Sequence, residues 1–440
     1  MNNCWLGLDL GTTNMKTVAL STENKVLAKA SKSMVYDCDN ARVEFDLDEF
    51  YKNVCDLIGK TVRMLPDDVL PAGICISSAS GNTVLLDEKN RPLVPAISWL
   101  DKRQSGDIKA VMGILNPSDV YRLIGWGLSD RFPLAHLCML KRKNPGVMEK
   151  AARIGMSSDY INLRLCCAWA MDHSTATTFY LQDQVAGIWH KPYLDALGIP
   201  EHKLPRLLPV GTCIGYVTQK ASLETFLLVG TPVFLGSFDH PSVAIGAEVI
   251  REGQLLVSCG TSWVGFTPVK GRERVINAGL LCDPFLYKQD LWGGYFSLPN
   301  AGQRVELYLD KFLPQTPDRF AKFDALAASA KPGAGGLKID IYDEPSLELE
   351  NYEKNNAARA VMESVAHSFN NKFKNLVNNS IHIKEITMAG GPSQSSVWPG
   401  ILADMLGMPV KVFPDGLYAG AIGAAKIAYT NMETAGSGAQ

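Results

Sequence analysis

The 440-residue chain has no excess of charge of either sign. Its 43 lysine and arginine side chains stand against 45 aspartates and glutamates, a formal net charge of −2. That balance removes the basic field which nucleic acid or an anionic membrane surface would need. No run of roughly 18 uncharged apolar residues occurs, so no helical membrane span is expected. Cys-x-x-Cys pairs are absent as well. The ten cysteines lie at irregular spacings, and only Cys166 and Cys167 adjoin. Such a scatter fits reduced, mostly buried thiols and a cytoplasmic location. The chain enters an apolar strand almost at once, so no signal peptide is expected.

Hydrophobic residues make up 46% of the chain, ample for a packed core. The length exceeds that of a typical single domain, so two are expected, residues 1–249 and 250–440.

The most informative stretch is Leu6-Gly7-Leu8-Asp9-Leu10-Gly11-Thr12-Thr13-Asn14-Met15-Lys16. A strand delivers one carboxylate, Asp9, to a Gly-Thr-Thr turn, and a second strand, Val18–Thr22, leaves it. Backbone N–H groups and hydroxyls on such a turn can converge on phosphate oxygens. Asp9 at the strand end is placed to hold hydrated Mg²⁺ beside them. An ordinary hairpin with a surface aspartate is the plainer alternative.

A third strand, Val26–Ala30, completes a meander. Asp46 then caps a helix, with Glu49 as its capping-box partner and Pro66 at its end. Short strands follow at Gly73–Ser78 and Val84–Asp87. In Trp99-x-Asp101-x-Arg103, alternate side chains would share one face of an extended segment. A ring beside a carboxylate and a forked cation suits a polyol. A half-buried Trp with a local Asp–Arg pair suits the pattern equally well.

Residues 104–200 read as mainly helical, with Asp172–Thr178 a connecting loop. Val217-Thr218 and Leu227–Gly230 are candidate strands. At Pro232–His240 an apolar strand ends in Gly236-x-x-Asp239, just before a small-residue helix. Asp239 therefore stands at a strand-to-helix switch, where it can serve as a general base or as a helix cap.

The opening stretch then echoes itself without a gap. Leu255-Leu256-Val257-Ser258-Cys259-Gly260-Thr261-Ser262 lies over Leu6–Thr13, with Ser258 in the place of Asp9. This suggests two similar domains, each giving one phosphate turn, with the acid on only one. Near the end, the strand Glu385–Met388 runs into Gly390-Gly391-Pro392-Ser393-Gln394-Ser395, where the glycines let a base or ribose approach the backbone. The small residues Gly420, Ala421, Gly423, Ala424 and Ala425 suit close helix packing.

Taken in order, these motifs resemble the FGGY carbohydrate kinases, relatives of xylulose kinase and glycerol kinase in the actin-like ATPase superfamily. The match runs through Asp9–Thr13, Trp99-x-Asp101-x-Arg103, Gly236-x-x-Asp239, Gly260-Thr261-Ser262, Gly390-Gly391 and Leu406-Gly407-x-Pro409-Val410, and spans nearly the whole chain. The resemblance implies an α/β fold of two ribonuclease-H-like domains with a cleft between them, sugar on the first and ATP mainly on the second. It implies Mg²⁺ on Asp9, and nucleotide phosphates on Thr12, Thr13, Asn14 and Lys16. Gly260 and Thr261 would meet the phosphates from the second domain, and Gly302, Gly391 and Ser395 would flank the nucleoside. Asp239 would be the catalytic base and a substrate contact, and Ser80, Gly81, Trp99 and Asp101 would line the sugar pocket.

The implied reaction is phosphoryl transfer from MgATP to a primary hydroxyl of a ketose, in the manner of xylulose kinase. A polyol or sugar acid is the alternative acceptor, and an actin-like ATP-binding switch the alternative class. The partners implied are a small sugar and ATP, with no nucleic acid and no membrane, and the family admits a homodimer. Two departures stand out. Ala79-Ser80-Gly81 occupies the turn where xylulose kinases show Gln-Met-His and glycerol kinases Gln-Arg-Glu, and His240 follows the base where Asn or Gln is usual. The small residues at 79–81 are expected to leave room for a different or bulkier acceptor than D-xylulose. The segment around 337–355 reads as a shortened version of the family's.

Overall fold

A computed structural model describes residues 2–286, 289–345, 349 and 351–437. Contacts divide the chain into two compact units. One runs to Gly246 and takes in the chain from Gly420 on; the other is Ala247–Ala419. The last helix, Ala419–Ser437, thus goes with the first unit, whereas the sequence reading assigned 250–440 to one domain.

The first unit is built on a six-stranded sheet in the order Val26–Ser33, Asn14–Ser21, Asn2–Leu10, Val69–Ser78, Pro232–Phe238 and Cys213–Tyr216. The first three form the expected antiparallel meander, in which Asp9 lies opposite Lys16. Val69–Ser78 and Pro232–Phe238 then add in parallel. Every residue of the opening strand from Cys4 to Leu10 is buried, because helices cover both faces. Helix Leu47–Arg63 begins as read: the Asp46 carboxylate accepts the Glu49 N–H at 2.7 Å.

Glycines fix two close approaches here. A Cβ on Gly7 would lie 1.8 Å from the Ala421 carbonyl oxygen, so the last helix rides directly on the opening strand. A Cβ on Gly423 would lie equally close to the Ser242 carbonyl, on the short helix Asp239–Gly246.

The second unit repeats the plan. Its sheet runs Leu281–Leu286, Leu291–Leu298, Trp263–Lys270, Gln254–Cys259, Glu385–Gly390 and Val410–Val412. The meander strands are again antiparallel and the last two parallel to Gln254–Cys259. The echo between residues 6–13 and 255–262 is therefore topological as well as sequential, with each stretch the central strand of its own sheet.

Several expectations need correction. Residues 97–103 are not extended: after Ala96–Ile97 the chain turns, with the Asp101 N–H donating to the Ser98 carbonyl at 3.0 Å. Asp172–Thr178 is not a loop. Asp172 caps the helix His173–Phe179 by accepting the Thr175 N–H at 2.8 Å, and the Thr177 and Thr178 hydroxyls bond back to carbonyls within that turn. Leu227–Gly230 is not a strand; Gln219–Thr225 is a helix and the pairing strand is Cys213–Tyr216. Within the segment 337–355, residues 346–348 and 350 lie outside the described residues.

Candidate active site

In the first unit, the opening strand ends at Leu10 and Val69–Ser78 ends beside it. The Ala79 N–H donates to the Leu10 carbonyl at 2.9 Å. Between these ends lies a small recess lined by Gly11, Thr12, Ala79, Asn82, Ser98 and Trp99, with Phe45 and Phe50 among the apolar groups beneath. The turn at its rim is tied down through carbonyls. Met34 donates its N–H to Thr13, and the Tyr36 hydroxyl donates to Thr12 at 2.9 Å. Gly11 is required there, since a Cβ would lie 2.7 Å from the Asn14 carbonyl oxygen. The Asn14 side chain accepts from the Ser33 hydroxyl at 3.2 Å.

Asp9 is 8% exposed. Its Oδ1 is buried and has no hydrogen-bond partner in the protein. Burial pushes its carboxyl up to about 7; the Lys16 ammonium works the other way, and the Asp239 carboxylate adds to the rise. Asp239, 230 positions away in the chain, thus bears on the charge of Asp9. The first turn of the last helix closes on the same group, for a Cβ on Gly420 would lie 2.6 Å from Asp9 Oδ2.

Asp239 follows a bulge. The pairing of Pro232–Phe238 with Val69–Ser78 shifts between Leu235 and Phe238, which re-aims the strand end. Gly236 permits this, because a Cβ would lie 2.0 Å from the Ile76 carbonyl oxygen. The Asp239 carboxylate accepts the N–H of His240 at 2.7 Å, and the imidazole Nδ1 lies 3.8 Å away. It does not cap the helix by bonding amides beyond Pro241. Burial raises its pKa, against the opposing pull of His240.

The remaining residues expected around the sugar are each engaged by neighbours in the first unit. Asp101 is fully buried. Its oxygens accept the N–H groups of Val43 and Arg103 and the Arg103 Nε, all between 2.9 and 3.1 Å, and Arg103 reaches on to Glu44. Burial alone would raise its pKa, but the Arg103 guanidinium and these N–H donors hold it below the usual carboxylate range. Trp99 is half-buried and Asp101 pairs locally with Arg103, on a turn and not on the surface strand of the plainer reading. The Ser80 hydroxyl is engaged with that of Thr178 at 2.6 Å. Gly81, at φ +87°, has no space beside it: a Cβ would lie 2.7 Å from the Phe132 ring and 3.2 Å from the Trp99 Cβ. Trp99 is half-buried and donates its indole N–H to the Thr12 hydroxyl at 3.1 Å.

Sequence reasoning missed Phe132, Trp126 and the part played by Gly420. The aromatics come from a stretch that carried no motif. Gly420 was legible only as a packing residue.

In the second unit, the turn after Gln254–Cys259 meets two other segments. The Gly302 N–H donates to the Thr261 carbonyl at 2.9 Å, and a Cβ on Gly302 would lie 2.3 Å from the Gly260 carbonyl oxygen. Cys259 pairs with Gly390 in the parallel register. Gly391, one residue on, has no atom within 4 Å of where a Cβ would stand. The Ser395 hydroxyl accepts the N–H groups of Val397 and Trp398, at the start of helix Trp398–Leu406. Gly260, Thr261, Gly302 and Gly391 thus gather at one end of this sheet.

Comparison with known proteins agrees with both halves. Residues 4–246 match the N-terminal domain of the FGGY family of carbohydrate kinases, and residues 326–432 match its C-terminal domain. The chain belongs to the FGGY family. It is therefore a carbohydrate kinase, a phosphotransferase with a sugar hydroxyl as acceptor. It is similar to a gluconokinase of Bacillus licheniformis, with 25% identity over 96% of this chain and 86% of that one. It is similar to an autoinducer-2 kinase of Klebsiella pneumoniae, with 25% identity over 92% of this chain and 82% of the relative. Among solved structures, the xylulose kinase of Rhodospirillum rubrum superimposes with a TM-score of 0.83 at 25% identity, over 97% and 90% of the two chains. The two sheets are those of the actin-like ATPase fold of FGGY kinases. Among the described residues, no helix is long and apolar enough to cross a membrane.

Proposed function

We propose that this FGGY kinase transfers the γ-phosphoryl group of ATP to a primary hydroxyl of a ketose, with a polyol or sugar acid as the alternative acceptor and Asp239 as the general base. The observation that carries this reading is that the strands leading to Asp9 and Asp239 both run parallel to Val69–Ser78, one on each side of it, so both carboxylates stand at the same end of the first unit's sheet. Asp239 is one-quarter exposed, and burial raises its pKa above the ordinary carboxylate value.

The Asp9 carboxylate suits a divalent cation. Its buried, partnerless Oδ1 offers a ligand atom, and hydrated Mg²⁺ asks for only one or two carboxylates besides phosphate oxygens. Bound there, the cation would neutralise charge on the transferring phosphates. Thr12, Thr13, Asn14 and Lys16 would hold phosphate oxygens on the first unit, and Gly260 and Thr261 on the second. Gly302, Gly391 and Ser395 would flank the nucleoside. In the acceptor site Trp99 would give its ring face to the sugar, while Ser80, Gly81 and Asp101 would shape the pocket from behind. All ten cysteines are free thiols, which supports a cytoplasmic enzyme.

The named relatives act on different acceptors, so the acceptor is set by experiment. ADP release is measured over pentuloses, hexuloses, polyols and aldonates, against ATP hydrolysis without acceptor. Strong stimulation by one class supports the reading. Hydrolysis that no acceptor stimulates contradicts it and favours an ATP-binding switch.

A further inference from the structure

His240, which follows the proposed base, stands in the first turn of helix Asp239–Gly246. Its surroundings hold that turn in place. The Phe238 N–H donates to the Ser174 hydroxyl at 3.2 Å. The buried Phe238 ring meets the imidazole edge-on, with centroids 5.1 Å apart. Further along the helix, the Ser242 hydroxyl donates to the Gly420 carbonyl at 2.9 Å.

Two nitrogens of His240 face one oxygen of the base. The backbone N–H donates to Asp239 Oδ1 at 2.7 Å, and the imidazole Nδ1 lies 3.8 Å from the same atom. The other oxygen, Oδ2, is thereby left for the acceptor. The Nδ1 contact is longer than a hydrogen bond, and substrate binding can tighten contacts of this kind. Both side chains are about one-quarter exposed. Burial favours the protonated form of Asp239, which could not take a further proton, and His240 opposes that effect.

From this geometry we infer that His240 is a positioning residue for the base: its Nδ1–H holds Oδ1 of Asp239, so that Oδ2 presents a lone pair to the acceptor hydroxyl. In the step this serves, the hydroxyl proton passes to Oδ2 as the acceptor oxygen bonds to the γ-phosphorus. The bond from that phosphorus to the β,γ-bridging oxygen breaks, and ADP leaves with the electron pair. The inference rests on Asp239 as the base of the proposed reaction and adds a second residue to it.

The test is kcat of the full-length enzyme with ATP and whichever of D-xylulose, D-fructose, glycerol and D-gluconate gives the wild type its highest kcat/KM. His240→Phe keeps a ring against Phe238 and removes both ring nitrogens. His240→Asn gives up the ring and keeps an N–H donor close to the place of Nδ1. A positioning role predicts that His240→Phe loses kcat by roughly tenfold to a hundredfold, with the KM for ATP and the melting temperature retained. His240→Asn should recover kcat to within about fivefold of the wild type. In an Asp239→Asn background His240→Phe should cost less than about twofold, since nothing is left to position. A ring that only packs on Phe238 predicts the reverse order, with Phe tolerated and Asn harmful. A Phe variant as fast as the Asn variant, or faster, overturns the inference, and so does an undiminished loss from His240→Phe in the Asp239→Asn background. Either result leaves the kinase reading standing. If His240→Phe does not fold, His240→Leu takes its place in the same comparison. A wild-type kcat in Asp239→Asn, or no turnover with any of these acceptors, defeats the reading of Asp239 as the base, and this inference falls with it.

Discussion

The indole N–H of Trp99 donates to the hydroxyl of Thr12 at 3.1 Å, across 87 positions of sequence. A residue read as a sugar platform is thereby tied to a residue read as a phosphate contact. The bond fixes the Thr12 side chain on a turn whose backbone is already held by Tyr36 and Met34.

Trp99→Phe keeps a ring and removes the donor. A neutral hydrogen bond of this kind contributes about 0.5–1.5 kcal/mol, so the KM for ATP should rise about two- to tenfold with the acceptor KM little changed. Steady-state kinetics with each substrate varied in turn checks this. A change confined to the acceptor KM would show that the bond does not position the phosphate turn.

Asp9 gives a pH dependence of stability. Its folded pKa, about 7, lies above the ordinary value of 3.8 because burial disfavours the charge. The protonated form is thus favoured by the fold. The stability this contributes is fully present below the unfolded value and is lost as pH rises through about 7. Denaturant unfolding without divalent cations should show the wild type losing up to about 4 kcal/mol from this group between pH 4 and pH 8. Asp9→Asn should lack that loss, and its turnover should be crippled. Identical pH profiles for the two proteins would contradict the placement of this carboxylate.

The second unit supplies a contrast between two glycines. Gly302→Ala drives a methyl group into the Gly260 carbonyl and should lower stability by about 1–3 kcal/mol. Gly391→Ala meets open space in the folded protein, so its melting temperature should not change. If a nucleoside lies there, Gly391→Ala should still raise the KM for ATP, by about tenfold or some 1.4 kcal/mol. Calorimetry and ATP titration separate the two effects. An unchanged KM in Gly391→Ala would remove that residue from the nucleotide site.

The two-unit α/β plan was legible because strand, turn and strand recur at residues 6–13 and 255–262 with the same apolar rhythm. Asp9, Gly236 and Asp239 could be found because a carboxylate or glycine at a strand end leaves a local signature. Asp101 was less readable. Alternation in Trp99-x-Asp101-x-Arg103 signals a shared face only if the backbone is extended, and a Ser98–Asp101 turn hydrogen bond bends it. The contacts of Trp126 with Phe132 and Phe238, and of Phe238 with His240, were not readable at all, since only the tertiary fold brings those segments together. The assignment of the last helix was hidden for the same reason: its small residues announce close packing but not the partner, which is Gly7 on the opening strand.

The most direct test of the account is the kcat of Asp239→Asn. An unactivated hydroxyl attacks poorly until its proton has an acceptor, and a carboxylate held at the strand end can orient it toward the phosphoryl group. The substitution preserves size and can keep the bond from the His240 N–H, the one hydrogen bond described for this carboxylate. A general base should lose kcat by roughly 10²- to 10⁴-fold, with nucleotide affinity and melting temperature retained. A kcat within a few-fold of the wild type would contradict the account and leave the enzyme without its proposed base.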